Sequence, residues 1–340
     1  MTAVLCVPAS FDLASMPRAE TVVVRSADEL RNAMRLSRTR PTTLDASGLD
    51  RILRFDGSRG LLEVQSATRW AVLAGWPALA GHGLGEFAKN AGFPATVGEA
   101  LSVNAAGPDG EPVATHIQAF VLVTPEGELR RADRASNPDL FRLAAGGQDV
   151  FGMTYSVTLG IDSLRQSAAA ARKPVEIVLP HTGPARAWAC GVELLLVPDK
   201  LEQFLAEVRT LAADRRLALQ SIAVRRTFAE DETRLRWARR EWASVRVRFG
   251  LRRSLGAAVN AAETRRGLLA LALACGGSFP VSDLRDATRA QLEACYPELS
   301  AFLAEKRRAD PSERLQNAWY RTARAILRGE RCESRWSTPR

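Results

Sequence analysis

The stretch from Thr96 to Ile161 constrains the fold of this chain most, because glycines divide it into short, regular segments. It predicts a glycine-punctuated turn, a strand, a Pro125-Glu126-Gly127 turn, a second strand, a short helix over Asn137 to Ala145, a Gly146-Gly147 turn and a last strand. Only glycine lets a backbone approach a ligand without a side chain between them. The pattern indicates either a frame that wraps around a long, flat ligand or an α+β sheet with glycine in its turns.

The segments before this stretch predict further strands and helices. We expect a strand at 21–25 and then a helix with a Ser26–Glu29 capping box, ended by Arg40-Pro41. A hairpin that turns between Gly57 and Gly60 follows, then a helical piece over 67–80 and a loop over 81–95. The N-terminal half therefore reads as mixed helix and strand.

The composition changes after Ile161, where a small, polar segment predicts a crossover into a second domain. That domain is predicted to hold strands around a helix opened by Pro198-Asp199, on an antiparallel sheet. The C-terminal region predicts helices that break at Tyr296-Pro297 and Asp310-Pro311. With 340 residues, the chain is long enough for two hydrophobic cores.

The chain carries a net charge of +9, mostly from arginine, and arginine is dense between Asp231 and Arg266. Trp237 and Trp242 are interleaved there, which indicates either a surface for an anionic substrate or membrane, or a solvated face with buried tryptophans. The basic residues do not alternate with aromatics as in RNA-binding platforms, which argues against nucleic acid.

The five cysteines and three histidines are scattered, so the sequence predicts no disulfide framework and no metal site. No apolar run reaches the roughly 18 residues that a membrane-spanning helix needs. The N-terminus lacks the basic start of a signal peptide. We therefore expect a cytoplasmic location, with membrane association as the alternative.

Several motifs of the chain resemble those of the FAD-linked oxidases, the vanillyl-alcohol oxidase or PCMH-type family. Thr96-Val97-Gly98-Glu99 resembles the TxGG turn of that family, and Asn104 to Gly107 resembles its (A/N)xHG segment. Pro125 to Glu128 resembles its pdGe turn, and Asn137 to Leu159 resembles its NPeLF…GG…FG…vtL run. Residues 276–321 resemble its C-terminal segment, including the YP, KRxxDP and N-x-WY motifs.

This resemblance implies an α+β fold with three parts. They are a PCMH-type, two-subdomain FAD-binding domain at 20–165, an α/β substrate or cap domain on an antiparallel sheet at 175–305, and a C-terminal segment at 306–330 that returns to the FAD domain. Within the family the sequence looks most similar to bacterial decaprenylphosphoryl-ribose oxidases and to sugar-lactone or alditol oxidases.

The resemblance also implies FAD as cofactor and oxidation of an alcohol-type substrate, sugar-like or lipid-linked, by hydride transfer to flavin N5. The positions that match flavin-contacting residues are Gly98, Ser102, Val103, Asn104, Gly107, Gly152 and Val157. Asp283 and Arg285 are the candidate catalytic residues that remain where the family places its substrate contacts.

Four departures from the family pattern bear on cofactor binding. The strand and RGxGxS loop that cradle the FAD diphosphate are expected to be missing after residue 41. Glu99 replaces a glycine of TxGG, and Ala106 replaces a histidine. Phe279 and Ser282 stand where the ribose oxidases carry a tyrosine and a lysine.

Three functions therefore stay open. The first is an FAD-linked oxidoreductase, acting on a small-molecule or lipid-linked substrate. The second is a degenerate, non-catalytic paralogue that serves as partner or scaffold for another oxidoreductase. The third is a binder of anionic lipid or nucleic acid through the arginine-rich region.

Overall fold

The computed structural model describes residues 3–6, 20–37, 42–89, 93–178, 187–215, 217–252 and 256–329. The chain forms two compact units. Unit 1 comprises residues 1–171, 230–236 and 298–321, and unit 2 comprises residues 172–229, 237–297 and 322–340. Residues 230–236 and 298–305, expected in the cap domain, lie in unit 1, whereas residues 322–330, expected to return to the FAD domain, lie in unit 2.

The strands are β1 (Ala3–Cys6), β2 (Glu20–Val23), β3 (Thr42–Asp45), β4 (Ile52–Asp56), β5 (Leu61–Gln65), β6 (Ile117–Val123), β7 (Leu129–Asp133), β8 (Met153–Gly160), β9 (Val175–Val178), β10 (Ala187–Leu196), β11 (Ala218–Thr227), β12 (Trp242–Arg252) and β13 (Leu315–Gln316).

The α-helices are α1 (Ala27–Leu36), α2 (Trp70–Gly75), α3 (Gly85–Lys89), α4 (Val97–Val103), α5 (Pro138–Ala144), α6 (Ile161–Ala170), α7 (Leu201–Asp214), α8 (Ala257–Ala274), α9 (Arg289–Cys295), α10 (Leu299–Ala309) and α11 (Ala318–Arg328). None of the helices in the described parts of the chain combines the length and apolar character that a membrane crossing requires.

The first sheet of unit 1 has the strand order β13-β1-β3-β2, in which β2 and β3 are parallel and α1 connects them. The predicted capping box begins α1, since Ser26 Oγ accepts a hydrogen bond from the Glu29 amide at 3.1 Å. The helix buries Leu30, Ala33 and Met34, as its spacing predicted.

Five residues, 37–41, lead from α1 into β3, so a strand does follow the helix at once. The predicted helix stop at Arg40-Pro41 lies outside the described residues. After β3 the chain makes a short 3-10 turn over Ala46–Gly48 and not a glycine-rich loop.

The second sheet of unit 1 is antiparallel throughout, in the order β4-β5-β8-β6-β7. The predicted hairpin turn at Gly57–Gly60 connects β4 to β5, and Gly60 adopts a left-handed φ of +62° that favours glycine. The strands bury a core that includes Leu62, Phe120 and Val157, and the Phe120 ring stacks on Phe141 at 5.3 Å. This sheet contains the strands that the stretch from Thr96 to Ile161 predicted.

Two helices of unit 1 lie where the sequence predicted a loop or a turn. α3 falls within the expected loop over 81–95, and α4 replaces the expected turn after Thr96, so those two predictions were wrong. The segment expected to cross between domains contains the helix α6, because its alanines favour helix and because Ile161 and Leu164 are buried. The chain passes from unit 1 to unit 2 directly after it, at residue 172.

Unit 2 is built on the antiparallel sheet β10-β12-β11-β9, so the sheet type is as predicted. Leu194, Val245 and Val247 of β10 and β12 are fully buried, α8 contacts both of these strands, and α7 contacts α8. The strand β12 runs through the arginine-dense region, for which the sequence predicted no strand.

Candidate functional site

Helix α4 begins at a side-chain cap, Thr96, that is visible in the sequence but was missed when a turn was predicted there. Thr96 Oγ1 accepts a hydrogen bond from the Glu99 amide at 3.2 Å. Thr-x-x-Glu is a helix-start pattern, and the apolar Val97 and Leu101 that follow are buried. Glu99 therefore serves the first turn of a helix, where its charge also complements the helix dipole.

Gly98 lies in this first turn and touches the backbone of the strand end beneath it. Its amide donates to the Ser66 carbonyl at 2.7 Å. A Cβ at position 98 would stand 2.7 Å from both the Ser66 carbonyl oxygen and Ser66 Cβ. The glycine is thus required for the close contact between α4 and the end of β5.

The turn between α5 and β8 approaches the other side of α4. The amides of Gly146 and Gln148 donate to the carbonyls of Leu101 and Ser102, each at 2.9 Å. Gln148 and Asp149 both adopt a left-handed φ of +56°, which is uncommon for non-glycine residues and still rarer for two in succession. The turn therefore holds Asp149 in one position beside α4.

These elements enclose a cavity of about 430 Å³ in unit 1. Its volume lies within the usual range for small-molecule sites. Part of the lining is uncharged, and another part carries one guanidinium and three carboxyl groups. The lining residues are Ala46, Ser47, Asp50, Ser66, Ala67, Arg69, Val72, Ala95, Thr96, Gly98, Glu99, Asp149, Met153 and Thr154.

Asp149 differs from an ordinary surface carboxyl in its proton affinity. The pKa of Asp149 is raised to about 6, chiefly by burial and in smaller part by the nearby charge of Glu99, while a hydrogen bond with Ser102 lowers it in part. Its carboxyl group thus changes charge near neutral pH. No sequence pattern pointed to this residue, because Gln148-Asp149 is an ordinary polar pair after two glycines.

Of the seven predicted flavin contacts, only Gly98 is among the residues that line the cavity. Ser102 does not line the cavity but forms a hydrogen bond with Asp149, which does. Asn104 ends α4 with a left-handed φ of +46°, and its Oδ1 accepts from the Ala114 amide at 3.0 Å. Val103 lies in the last turn of α4.

The other three predicted contacts form local turns and packing. Gly107 lies in a turn closed by its amide on the Glu111 carbonyl at 2.6 Å. A Cβ on Gly152 would stand 2.8 Å from the Val123 carbonyl oxygen, and Val157 is fully buried in β8. The role of these residues toward a cofactor stays a prediction.

The two catalytic candidates bind each other in unit 2. Arg285 Nε and Nη2 donate to the two carboxylate oxygens of Asp283, each at 2.8 Å. Burial would raise the pKa of Asp283, yet the bidentate Arg285 holds it below the ordinary value. Asp283 is therefore ionised at neutral pH, and its catalytic role stays a prediction.

The other departures at this end of the chain have structural uses. Phe279 is buried, and its carbonyl accepts a hydrogen bond from the Tyr296 hydroxyl.

Within the described residues, no cluster of three or more histidine, cysteine or acidic side chains has the geometry to hold a metal ion.

Comparison with known proteins finds a likeness over part of this chain. Residues 20–133, about a third of its length, match the family model described as FAD binding domain. The matched segment is similar to an FAD binding domain, with a PCMH-type α+β fold, and FAD is the cofactor that such a domain binds.

Two solved structures share the fold over most of the chain. A variant of Physcomitrella patens BBE-like 1 aligns with a TM-score of 0.60 at 11% identity, covering 92% of this chain and 96% of that one. An alkyldihydroxyacetonephosphate synthase aligns with a TM-score of 0.57 at 10% identity, covering 87% and 75%. A search of curated proteins finds no match. At these identities the likeness extends the fold assignment to both units and says nothing of substrate.

The lining of the cavity fits one part of FAD better than another. Ala46, Ala67, Val72, Ala95 and Met153 offer an uncharged surface suited to a flat ring system. The diphosphate calls for cations or converging backbone amides, and Arg69 is the one cationic side chain among the described lining residues. Thus the flavin ring fits this cavity, and the diphosphate meets carboxyl groups.

Proposed function

We propose that this chain is an FAD-linked oxidoreductase that oxidises an alcohol-type substrate, sugar-like or lipid-linked. The observation that carries the proposal is the cavity beside Thr96–Glu99, most of whose lining residues belong to the matched FAD binding domain and which offers an uncharged surface to a ring system. When bound, FAD supplies the acceptor, at flavin N5, for a hydride from the substrate carbon.

The residues around the cavity would contact the cofactor in different ways. The alanines, Val72 and Met153 would contact the ring, while Gly98 lets α4 stand close to Ser66 and so fixes one wall. Arg69 is exposed at the cavity and can pair with an anionic group of the ligand.

The pair of Asp283 and Arg285 supports a role in orienting substrate. An ionised carboxylate can accept a hydrogen bond from a substrate hydroxyl, and a guanidinium can bind an anionic substituent. Because the low pKa of Asp283 leaves it without a proton to donate, it would position a hydroxyl and not act as an acid.

The test combines flavin binding and turnover on the full chain. Purified protein is incubated with FAD, freed of unbound FAD by gel filtration, and assayed with polyols, sugars and lipid-linked sugars using a dye as electron acceptor. We expect visible flavin absorption to remain with the protein and dye reduction to require both FAD and substrate. Ala95→Trp, which fills the cavity, should abolish flavin retention, while Ala301→Trp on the exposed face of α10 should not.

A second function has its own support. The short 3-10 turn that stands after β3 in place of a glycine-rich loop and the carboxyl groups of the cavity both weaken the case for a firmly held diphosphate, which favours a non-catalytic paralogue that acts as protein partner of another oxidoreductase. Protein that is folded by circular dichroism but stays colourless at millimolar FAD would support this function and defeat the first.

A further inference from the structure

Backbone hydrogen bonds hold Asp149 at the cavity, in a left-handed conformation that aspartate seldom adopts by itself. The turn that contains it is held to the end of α4 by hydrogen bonds from the Gly146 and Gln148 amides, and Asn317 donates from its side-chain amide to the Gln148 carbonyl. Two successive left-handed residues persist only where the surroundings fix them. The carboxyl group therefore has a fixed position relative to any ligand in the cavity.

The charged groups that face this position come from three sides. Glu99 projects from α4, Asp50 follows the 3-10 turn after β3, and Arg69 precedes α2. β8 contributes only the neutral Met153 and Thr154. Among these side chains Asp50 and Arg69 are exposed to solvent, and although burial would raise the pKa of Glu99, a neighbouring cationic group lowers it. Asp149 is the carboxyl group of the lining whose burial raises its pKa, so its charge is the one that solvent screens least toward an anionic ligand.

We propose that Asp149 determines which flavin this cavity holds: its carboxylate disfavours the anionic diphosphate of FAD and is indifferent to the uncharged ring of riboflavin. The inference rests on the proposal that this cavity is the flavin site. It makes Asp149 a specificity-determining residue toward the anionic part of the ligand.

A proton on Asp149 removes the charge that opposes the diphosphate. Because burial raises the pKa of this carboxyl to about 6, FAD should bind more tightly on the acid side of that value than on the alkaline side. Riboflavin, which carries no phosphate, should show no such dependence. The difference between the two ligands separates Asp149 from any general effect of pH on the fold.

The experiment measures dissociation constants of FAD and riboflavin by quenching of flavin fluorescence, at about pH 5 and about pH 8. It uses the full chain as wild type, as Asp149→Asn, and as Asp162→Asn, whose exposed carboxyl on α6 pairs with Arg165 away from the cavity. Asparagine tolerates the left-handed backbone as well as aspartate does, so Asp149→Asn should fold.

We expect Asp149→Asn to tighten FAD binding by roughly tenfold or more at the higher pH and by less than about threefold at the lower pH. Riboflavin affinity should stay within about twofold, and Asp162→Asn should match wild type for both ligands. Equal shifts for FAD and riboflavin, or no shift for FAD at the higher pH, would overturn the inference while leaving the flavin site standing. Failure of every form of the protein to bind either ligand would overturn the proposed function and this inference together.

Discussion

Among single residues, Gly98 makes the most exacting contact of the site, because backbone atoms and not a movable side chain surround its missing Cβ. We expect Gly98→Ala to lower the free energy of unfolding by about 1–3 kcal/mol, since α4 must move away from Ser66. Urea denaturation followed by circular dichroism measures this. Gly75→Ala is the matched control, because a Cβ there meets no atom within 4 Å and should leave stability near that of wild type. Equal losses in both variants would contradict the account.

Asp149 should also leave a mark on stability. Its native pKa of about 6 lies above the ordinary value of 3.8, so the folded chain binds this proton more tightly than the unfolded chain does. Stability from this group is therefore present at low pH and is lost as pH rises toward 6.

Asp149→Asn removes that loss. Its stability advantage over wild type should be larger at about pH 7 than at about pH 4, by about 2 kcal/mol for a shift of this size. Denaturation midpoints at the two values test this. A constant difference between the two proteins across pH would show that the carboxyl titrates normally in the folded chain.

The sequence correctly predicted the helix cap at Ser26. Thr96 has the same capping pattern, but its resemblance to a glycine turn led to a turn being predicted there and not a helix start. The sequence could not point to Asp149, because left-handed backbone at a non-glycine residue is imposed by tertiary contacts. The cavity as a whole was beyond prediction, since its lining comes from segments separated by up to about a hundred positions in the chain.

At the scale of elements, the end of α10 is organised by an ion pair hidden from solvent. Lys306 and Asp310 pair there, with side chains that are 0% and 2% exposed. The two Asp310 oxygens also accept from the amides of Arg314 and Leu315, at 3.1 and 2.9 Å. The KRxxDP motif of the sequence thus connects α10 to β13, which pairs with β1.

Lys306→Met leaves the Asp310 carboxylate buried without its cation, and we expect it to lower the free energy of unfolding by about 3–5 kcal/mol. The control is Arg308→Met on the same helix, whose ion pair with Glu305 is largely exposed and worth at most about 1 kcal/mol. Chemical denaturation of both variants gives the comparison. If Lys306→Met costs no more than Arg308→Met, the buried pair does not hold this junction.

The sequence predicted the elements whose pattern is strictly local. The strands β6, β8, β10 and β11 are runs of β-branched and apolar residues, and the prolines at 297 and 311 follow helix ends as expected. β12 was missed because Arg246 and Arg248 alternate with the buried Val245, Val247 and Phe249, so that charge concealed the apolar pattern of the strand. Cross-strand partners such as Glu193, which pairs with Arg246 at 2.9 Å, make such a strand stable.

For the whole molecule, the net charge of +9 leaves open whether the basic surface binds anionic polymers. The two tryptophans of the arginine-dense region bear on this question. Trp237 and Trp242 are only 7% and 2% exposed, and Arg240 lies over the Trp242 ring at 5.3 Å. These aromatics are part of the core of unit 2 or its edge and are not available to stack on bases or enter a bilayer surface.

We therefore expect only weak, salt-sensitive association with anionic vesicles or duplex DNA. Without stacking or insertion, binding rests on counterion release alone, and its constant should fall steeply between about 50 and about 200 mM salt. Sedimentation with phosphatidylserine vesicles and electrophoretic shift of DNA measure it across that range. Arg236→Ala, which removes one exposed cation of this region, should lower affinity slightly at low salt and change nothing at high salt. Tight binding that does not fall at the higher salt would contradict this expectation, because it would require contacts other than charge pairing by the basic surface.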